Sequence, residues 1–171
     1  DSPVEMELPM GKEFLTWDEF SPALYKLTAK LTNGKQTDTQ QVQFGMRDFK
    51  IEGKWFYVNG RKTMLRGTVE NCDFPLTGYA PMDVASWERV FRICRNYGLN
   101  HMRFHSFCPP EAAFIAADLV GFYLQPEGPS WPNHGPRLGN GQPIDKYLMD
   151  ETIALTKEYG NYASYCICLL Y

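Results

Sequence analysis

Arg103 and His105 stand two residues apart in residues 100–107, a stretch whose pattern predicts an extended strand, so both side chains leave the same face. A guanidinium held there lowers the pKa of a neighbouring carboxylate and keeps it anionic. An imidazole beside it can donate or accept a hydrogen bond. Glu127 closes a later apolar run, residues 122–127, and Trp131 follows in a Gly- and Pro-rich loop over 128–144. These are an acceptor for ligand hydroxyls and a flat ring able to cover an apolar ligand face. By themselves the residues leave other roles open: a structural ion pair for Arg103, an ordinary loop position for His105, a cap or salt bridge for Glu127.

Other chemistries lack their residues. The three histidines do not fall at zinc-ligand spacing, and Cys166-x-Cys168 has no second ligand pair, so no metal site is expected. Gly67-Thr68-Val69-Glu70 offers one glycine after a strand and no G-x-G-x-x-G, which excludes a dinucleotide cofactor held in the usual way. No cofactor is expected. His101 reads as buried packing, His134 as a solvated loop residue, and Asp150 with Glu151 as a wet helix face. Arg66 and Asp73 are weaker candidates, expected to follow the first strand after residue 62.

The elements that must position these residues change in kind near residue 60. Residues 24–31 alternate apolar and polar, Asn33-Gly34 supplies a turn, and a second run begins at Thr39. Glu52-Gly53-Lys54 separates a third short pair, and Asn59-Gly60 is the strongest hairpin signal in the chain. Alternation gives each strand one buried and one wet face, as in an antiparallel sandwich, but so few strands make only the end of one. Beyond residue 62 the period lengthens. A strand over 63–69 precedes a helix bearing Trp87, Val90, Phe91, Cys94 and Tyr97, with Asp83 to cap it and Gly98 to stop it. Pro109 and Pro110 fit the first turn of a second helix ending at Gly121, and a third runs over 145–159 to Gly160. Residues 164–171 form a fourth strand-like run. The order βαβαβαβ predicts parallel strands with helices outside.

Composition narrows the partners. The net charge of −3 comes without a basic cluster, which argues against nucleic acid, and no segment approaches the ~18 consecutive apolar residues of a membrane span. Aromatic residues make up 15% of the chain, which suits sugar contact and a dense core equally. The five cysteines are expected as free, buried thiols. The opening DSPVEMELPM has neither a basic start nor an apolar core, so any export signal is expected to be already removed or never present.

Five segments in order resemble glycoside hydrolase family 2, the β-galactosidase and β-glucuronidase family. Trp17-Asp18-Glu19-Phe20-Ser21-Pro22-Ala23-Leu24-Tyr25 is similar to its W-x-x-x-x-P-x-L-Y segment, and Phe44-Gly45-Met46-Arg47 to its F-G-F-R strand. Val58-Asn59-Gly60-Arg61 with Leu65-Arg66-Gly67 resembles N-G-K-P…L-R-G, where the family's barrel begins. The run from Arg103 to Glu111 resembles its second barrel strand and loop, and Gly160-Asn161-Tyr162-Ala163-Ser164-Tyr165 stands in place of G-N-H-P-S-F. The resemblance implies a mixed all-β plus α/β chain: the end of an immunoglobulin-like β-sandwich over residues 1–58, then strands one to four of a TIM (β/α)8 barrel over 59–171. It implies part of a retaining β-glycosidase acting on carbohydrate, with Arg103 supporting catalysis and His105, Glu127 and Trp131 binding substrate. A sugar-contacting His of the family is Tyr162 here, and the following Pro is Ala163. The family's acid/base Glu would follow Tyr171 and its nucleophilic Glu would lie further on, so the 171 residues alone are expected to be inactive. The other reading from the same residues is a non-catalytic carbohydrate-binding or structural remnant. An open half-barrel is expected to self-associate, and the family resemblance favours a periplasmic or extracellular setting.

Overall fold

The computed structural model describes residues 4–131 and 137–168. Its first half is two small antiparallel sheets. Strands β1 (Tyr25–Asn33) and β2 (Gln36–Phe44) pair along their whole length, from Tyr25 opposite Phe44 to Asn33 opposite Gln36. The second strand thus begins three residues before the expected Thr39, because the tight turn after Asn33 sends the chain straight back into register. Strands β3 (Phe49–Glu52), β4 (Trp55–Val58) and β5 (Arg61–Thr63) form a meander. Its second turn is Asn59-Gly60, both with positive φ (51° and 76°), the combination a two-residue hairpin of matching twist requires. This hairpin straddles residues 58 and 59 and draws Thr63 into β5. The next strand accordingly starts at Gly67 and not at Thr63.

The second half alternates as its periodicity predicts: β6 (Gly67–Glu70), α1 (Val84–Asn96), β7 (His101–Phe104), α2 (Glu111–Val120), β8 (Tyr123–Gln125) and α3 (Pro143–Tyr159). The three strands are parallel in the order β6-β7-β8, with Gly67, His101 and Tyr123 in register. Of the expected fourth strand, the described residues show a parallel bridge between Leu124 and Tyr165, held by Leu124 N–H on Ser164 O at 2.8 Å. Residues 169–171 lie outside the described part. Asp83 caps α1 through Ser86 N–H at 2.8 Å, and Pro110 is the residue before α2, one position earlier than expected.

Period-2 alternation gives the parallel sheet two unlike faces. Met102, Phe104 and Leu124 turn toward the helices and pack with Trp87 and Phe91 of α1 and Phe114, Ala116 and Ala117 of α2. α2 is apolar nearly all round because its neighbours enclose it. The opposite face carries His101, Arg103, Tyr123 and Gln125.

The segment after Thr16 closes the N-terminal end of this sheet. Trp17 has no exposure to solvent; its indole N–H donates to Asp118 O of α2 at 2.8 Å, and its ring meets Tyr123 edge-on at 5.7 Å. Glu19 accepts from Asn100 Nδ2 and from an Arg66 guanidinium N–H, each at 3.0 Å, while Asn100 Oδ1 accepts the Arg66 amide at 2.7 Å. Arg95 donates to the carbonyls of Glu19, Val120 and Gly121. Gly45 passes so close that a Cβ there would sit 2.8 Å from the Cβ atoms of both Ala163 and Trp17. The strand-rich half is therefore bolted to the α/β half by packing as well as by chain connection. Replacing Trp17 with Ala should remove about 3–5 kcal/mol of stability, the range for deleting a buried aromatic ring, and a urea titration should show it as a lower midpoint. An unchanged midpoint would mean that this junction adds nothing.

Candidate functional site

The C-terminal ends of β7 and β8 bring together what the sequence separates by more than twenty residues. Glu127, two residues past β8, has no exposure at all, and a carboxylate in that position is costly unless its oxygens are satisfied. Arg103 Nε donates to Oε1, and the Ser106 amide donates to Oε2 at 2.8 Å. Arg103 keeps about a quarter of its side chain exposed, so the pair reaches the surface through the guanidinium. The Ser106 amide can aim at the carboxylate because Ser106 adopts the left-handed conformation, φ 61°, a strained choice for a residue with a Cβ. The chain then turns so that the His105 ring lies edge-on to Trp131, centroids 5.4 Å apart and planes at 75°. Ser106 Oγ bridges the two loops, 3.1 Å from His105 Nδ1 and 3.3 Å from Ser130 O. Arg103, His105, Glu127 and Trp131, the four residues singled out from the sequence, are thus assembled at one end of the sheet.

The family profile described as "Glycosyl hydrolases family 2" matches residues 7–47, within the strand-rich half. The β-galactosidase of Thermoanaerobacter pseudethanolicus is 31% identical over 125 residues, 71% of this chain and 17% of that protein, and the β-galactosidase of Thermoanaerobacterium thermosulfurigenes is 29% identical over 121 residues. The crystal structure of Parabacteroides merdae β-glucuronidase superposes on 91% of this chain with a TM-score of 0.75 and 26% identity. The chain matches part of a family 2 glycosyl hydrolase. It spans about one sixth of the length of the curated relatives it matches, and 19% of the Parabacteroides chain.

Several residues singled out from the sequence find other work. Arg66 does not follow the first parallel strand but precedes it, so it sits at the opposite end of the sheet with Glu19 and cannot reach the site. Asp73 stays nearby, its amide on Glu70 Oε1 at 3.1 Å. Tyr162, in the place of the family His, donates its hydroxyl to Glu111 at 2.6 Å and packs with Phe114 and Tyr159 on the helix side of the sheet. Ala163 is buried against Trp17, with its amide on Asp118. His134 lies outside the described residues. Asp150 is exposed and paired with Lys146, while Glu151 is half-buried. The cysteines are free, but Cys72 is exposed and the other four are partly buried, so full burial is corrected: each sits in a loop or at a helix edge. Among the described residues no three His, Cys, Asp or Glu side chains converge on a metal-sized site, and no helix is long and apolar enough to cross a membrane.

Sequence reasoning missed Ser106, which appears in the motif H-S-x-C-P-P-E without any feature that marks its backbone conformation. It also missed the buried carboxyl of Asp118. His101 is buried as expected, on the polar side against Gly67, and burial pulls its pKa down to about 4, with Gln125 opposing in part. Asp118, on α2, accepts the amides of Ala163 and Ser164, yet burial pushes it up to about 6.

These two shifts act in opposite senses. Between pH 4 and 6.5 the unfolded chain protonates His101 more than the folded one does, so its contribution is complete above pH 6.5 and lost as pH falls toward 4. Between 3.8 and 6 the folded chain binds the Asp118 proton more tightly, so that contribution is complete below 3.8 and lost as pH rises through 6. Each displacement corresponds to about 3 kcal/mol, so in the native chain they nearly cancel. Asp118→Asn should expose the His101 dependence: stability climbing by about 2–3 kcal/mol from pH 4 to 6.5 relative to the parent, read by urea unfolding at several pH values. A profile that stays flat in this variant would contradict the assignment. Separately, Arg103→Ala should destabilise by about 2–3 kcal/mol, below the usual cost of orphaning a buried charge because the guanidinium is partly wet. Arg103→Lys should recover little of it, since an ammonium cannot reproduce the directed Nε–H bond.

Proposed function

We propose that the polar end formed by Arg103, His105, Glu127 and Trp131 is the glycone-binding side of a retaining β-glycosidase, an O-glycosyl hydrolase acting on a β-galactoside or β-glucuronide. In this reading residues 1–58 are the end of an immunoglobulin-like domain, and residues 59–171 contribute strands one to four of a (β/α)8 catalytic barrel. The observation that carries it is the convergence of four hydrogen-bonding and aromatic side chains at the C-terminal ends of parallel strands. That is the end where barrels of this kind build their sites. The names of the relatives, β-galactosidases and a β-glucuronidase, supply the substrate class.

The chemistry divides between residues that orient and residues that react. Retaining hydrolysis needs two carboxyl groups ~5–5.5 Å apart, one attacking and one donating a proton. Both Glu127 oxygens already accept, one from a guanidinium and one from an amide, so the residue fixes the Arg103 side chain and the Ser106 turn on the side that would face the ligand. Arg103 holds that carboxylate in place and adds positive charge at this end of the sheet. Trp131, 43% exposed, offers its ring to the sugar's C–H face. The same engagement of Glu127 favours, as a second reading, a chain that binds sugar and does not cleave it.

Both readings expect no release of nitrophenol from aryl β-galactosides or β-glucuronides by these 171 residues. They also expect weak sugar binding, on the order of millimolar. NMR titration with galactose and glucuronic acid should shift Arg103, His105, Glu127 and Trp131, and Arg103→Ala should abolish the shifts. Shifts confined to residues 1–58, or none at tens of millimolar sugar, would sink the site. Nitrophenol release abolished by Glu127→Gln would instead give Glu127 a catalytic role. Activity that appears only when the chain is joined to a family 2 segment that supplies the two reacting carboxyl groups would decide for the enzyme over the binding module.

A further inference from the structure

A serine hydroxyl carries one hydrogen, and Ser106 Oγ has two neighbours competing for it. Ser130 O, 3.3 Å away, is a carbonyl and can only accept, so the hydroxyl donates there. With both contacts made, Oγ offers His105 Nδ1, 3.1 Å away, a lone pair and accepts from an Nδ1–H. A neutral imidazole has a single N–H, so Nε2 is left with its lone pair. No hydrogen bond to Nε2 is made among the described residues, and it is not among their buried, unpartnered atoms. The serine is itself immobilised: its amide is tied to the buried Glu127 carboxylate, and its left-handed backbone fixes where Oγ points.

We propose that Ser106 is a positioning residue that sets the tautomer of His105, so that the ring presents Nε2 to the pocket as a hydrogen-bond acceptor for a donor hydroxyl of the ligand. A lone pair at that point attracts an O–H and repels a carboxylate, so this corner of the site reads a sugar hydroxyl, and an anionic group of a uronic acid is turned elsewhere. The use of the tautomer rests on the glycone-binding role given above; the tautomer does not.

The test exploits the backbone. Ser106→Gly removes the hydroxyl while keeping the amide to Glu127 and easing the left-handed conformation, so the fold is retained. Nitrogen-15 NMR of the side-chain imidazoles, with His105→Gln to assign the signal, should show the neutral His105 ring of the parent protonated at Nδ1, and a mixture of tautomers in Ser106→Gly. A parent ring protonated at Nε2, or a tautomer unmoved by Ser106→Gly, would overturn the proposal, and a purely structural role for Ser106 predicts the latter. Methyl β-galactoside should bind the Ser106→Gly chain roughly threefold to tenfold more weakly than the parent, the range for one hydrogen bond. Equal binding by both chains would overturn the hydroxyl-reading role. A parent that binds no sugar would overturn the glycone-binding role and leave the tautomer assignment standing.

Discussion

A carboxylate shut away from water at the end of a three-residue strand sets the terms for everything around it. Both oxygens of Glu127 need donors in that position, and the donors come from a different strand and its loop. Arg103 must therefore face the polar side of β7, which puts Met102 and Phe104 on the helix side where the core forms. Ser106 must bring its amide round to the second oxygen, and the left-handed turn that achieves this also swings His105 toward Trp131. One burial thus fixes the face of a strand, the path of a loop and the orientation of a ring.

The two ends of the parallel sheet divide the labour. At the N-terminal end, Trp17, Glu19, Arg66, Arg95 and Asn100 form a closed set of hydrogen bonds and packing contacts with little room for a ligand. At the C-terminal end, Arg103 on β7 and His105, Glu127 and Trp131 in the loops beyond the strands form a polar and aromatic group around one buried carboxylate. Stability is concentrated where the strand-rich half docks, and ligand chemistry where the chain leaves the sheet, the usual separation in parallel α/β architectures. On the second side the backbone enters the left-handed region at Cys72 and Ser106, in the loops that follow β6 and β7.

The segment after α3 belongs to the packing and not to the polar end. Tyr162 donates to Glu111 and joins the aromatic cluster of α2 and α3. The same short stretch also feeds amides to the buried Asp118, which ties its conformation to the core.

Local pattern by itself determined the elements. Period-2 alternation, the Asn59-Gly60 turn, the Asp83 cap and the helical recurrence of Trp87, Phe91 and Cys94 act within a few residues of chain, where backbone geometry leaves few options. The alternation also placed Arg103 and His105 on one face before any partner was known. The family resemblance marked Glu127 and Trp131 as their companions. Only tertiary structure decided the pairings: Glu127 with Arg103, Trp17 with Asp118, Glu19 with Asn100, spanning 24, 101 and 81 residues. It also sent Arg66 to the wrong end of the sheet for a site residue and bent Ser106 into a left-handed turn. Nothing local marks such choices, because a buried polar group is satisfied by whichever donor the packing of the whole chain brings within hydrogen-bond reach.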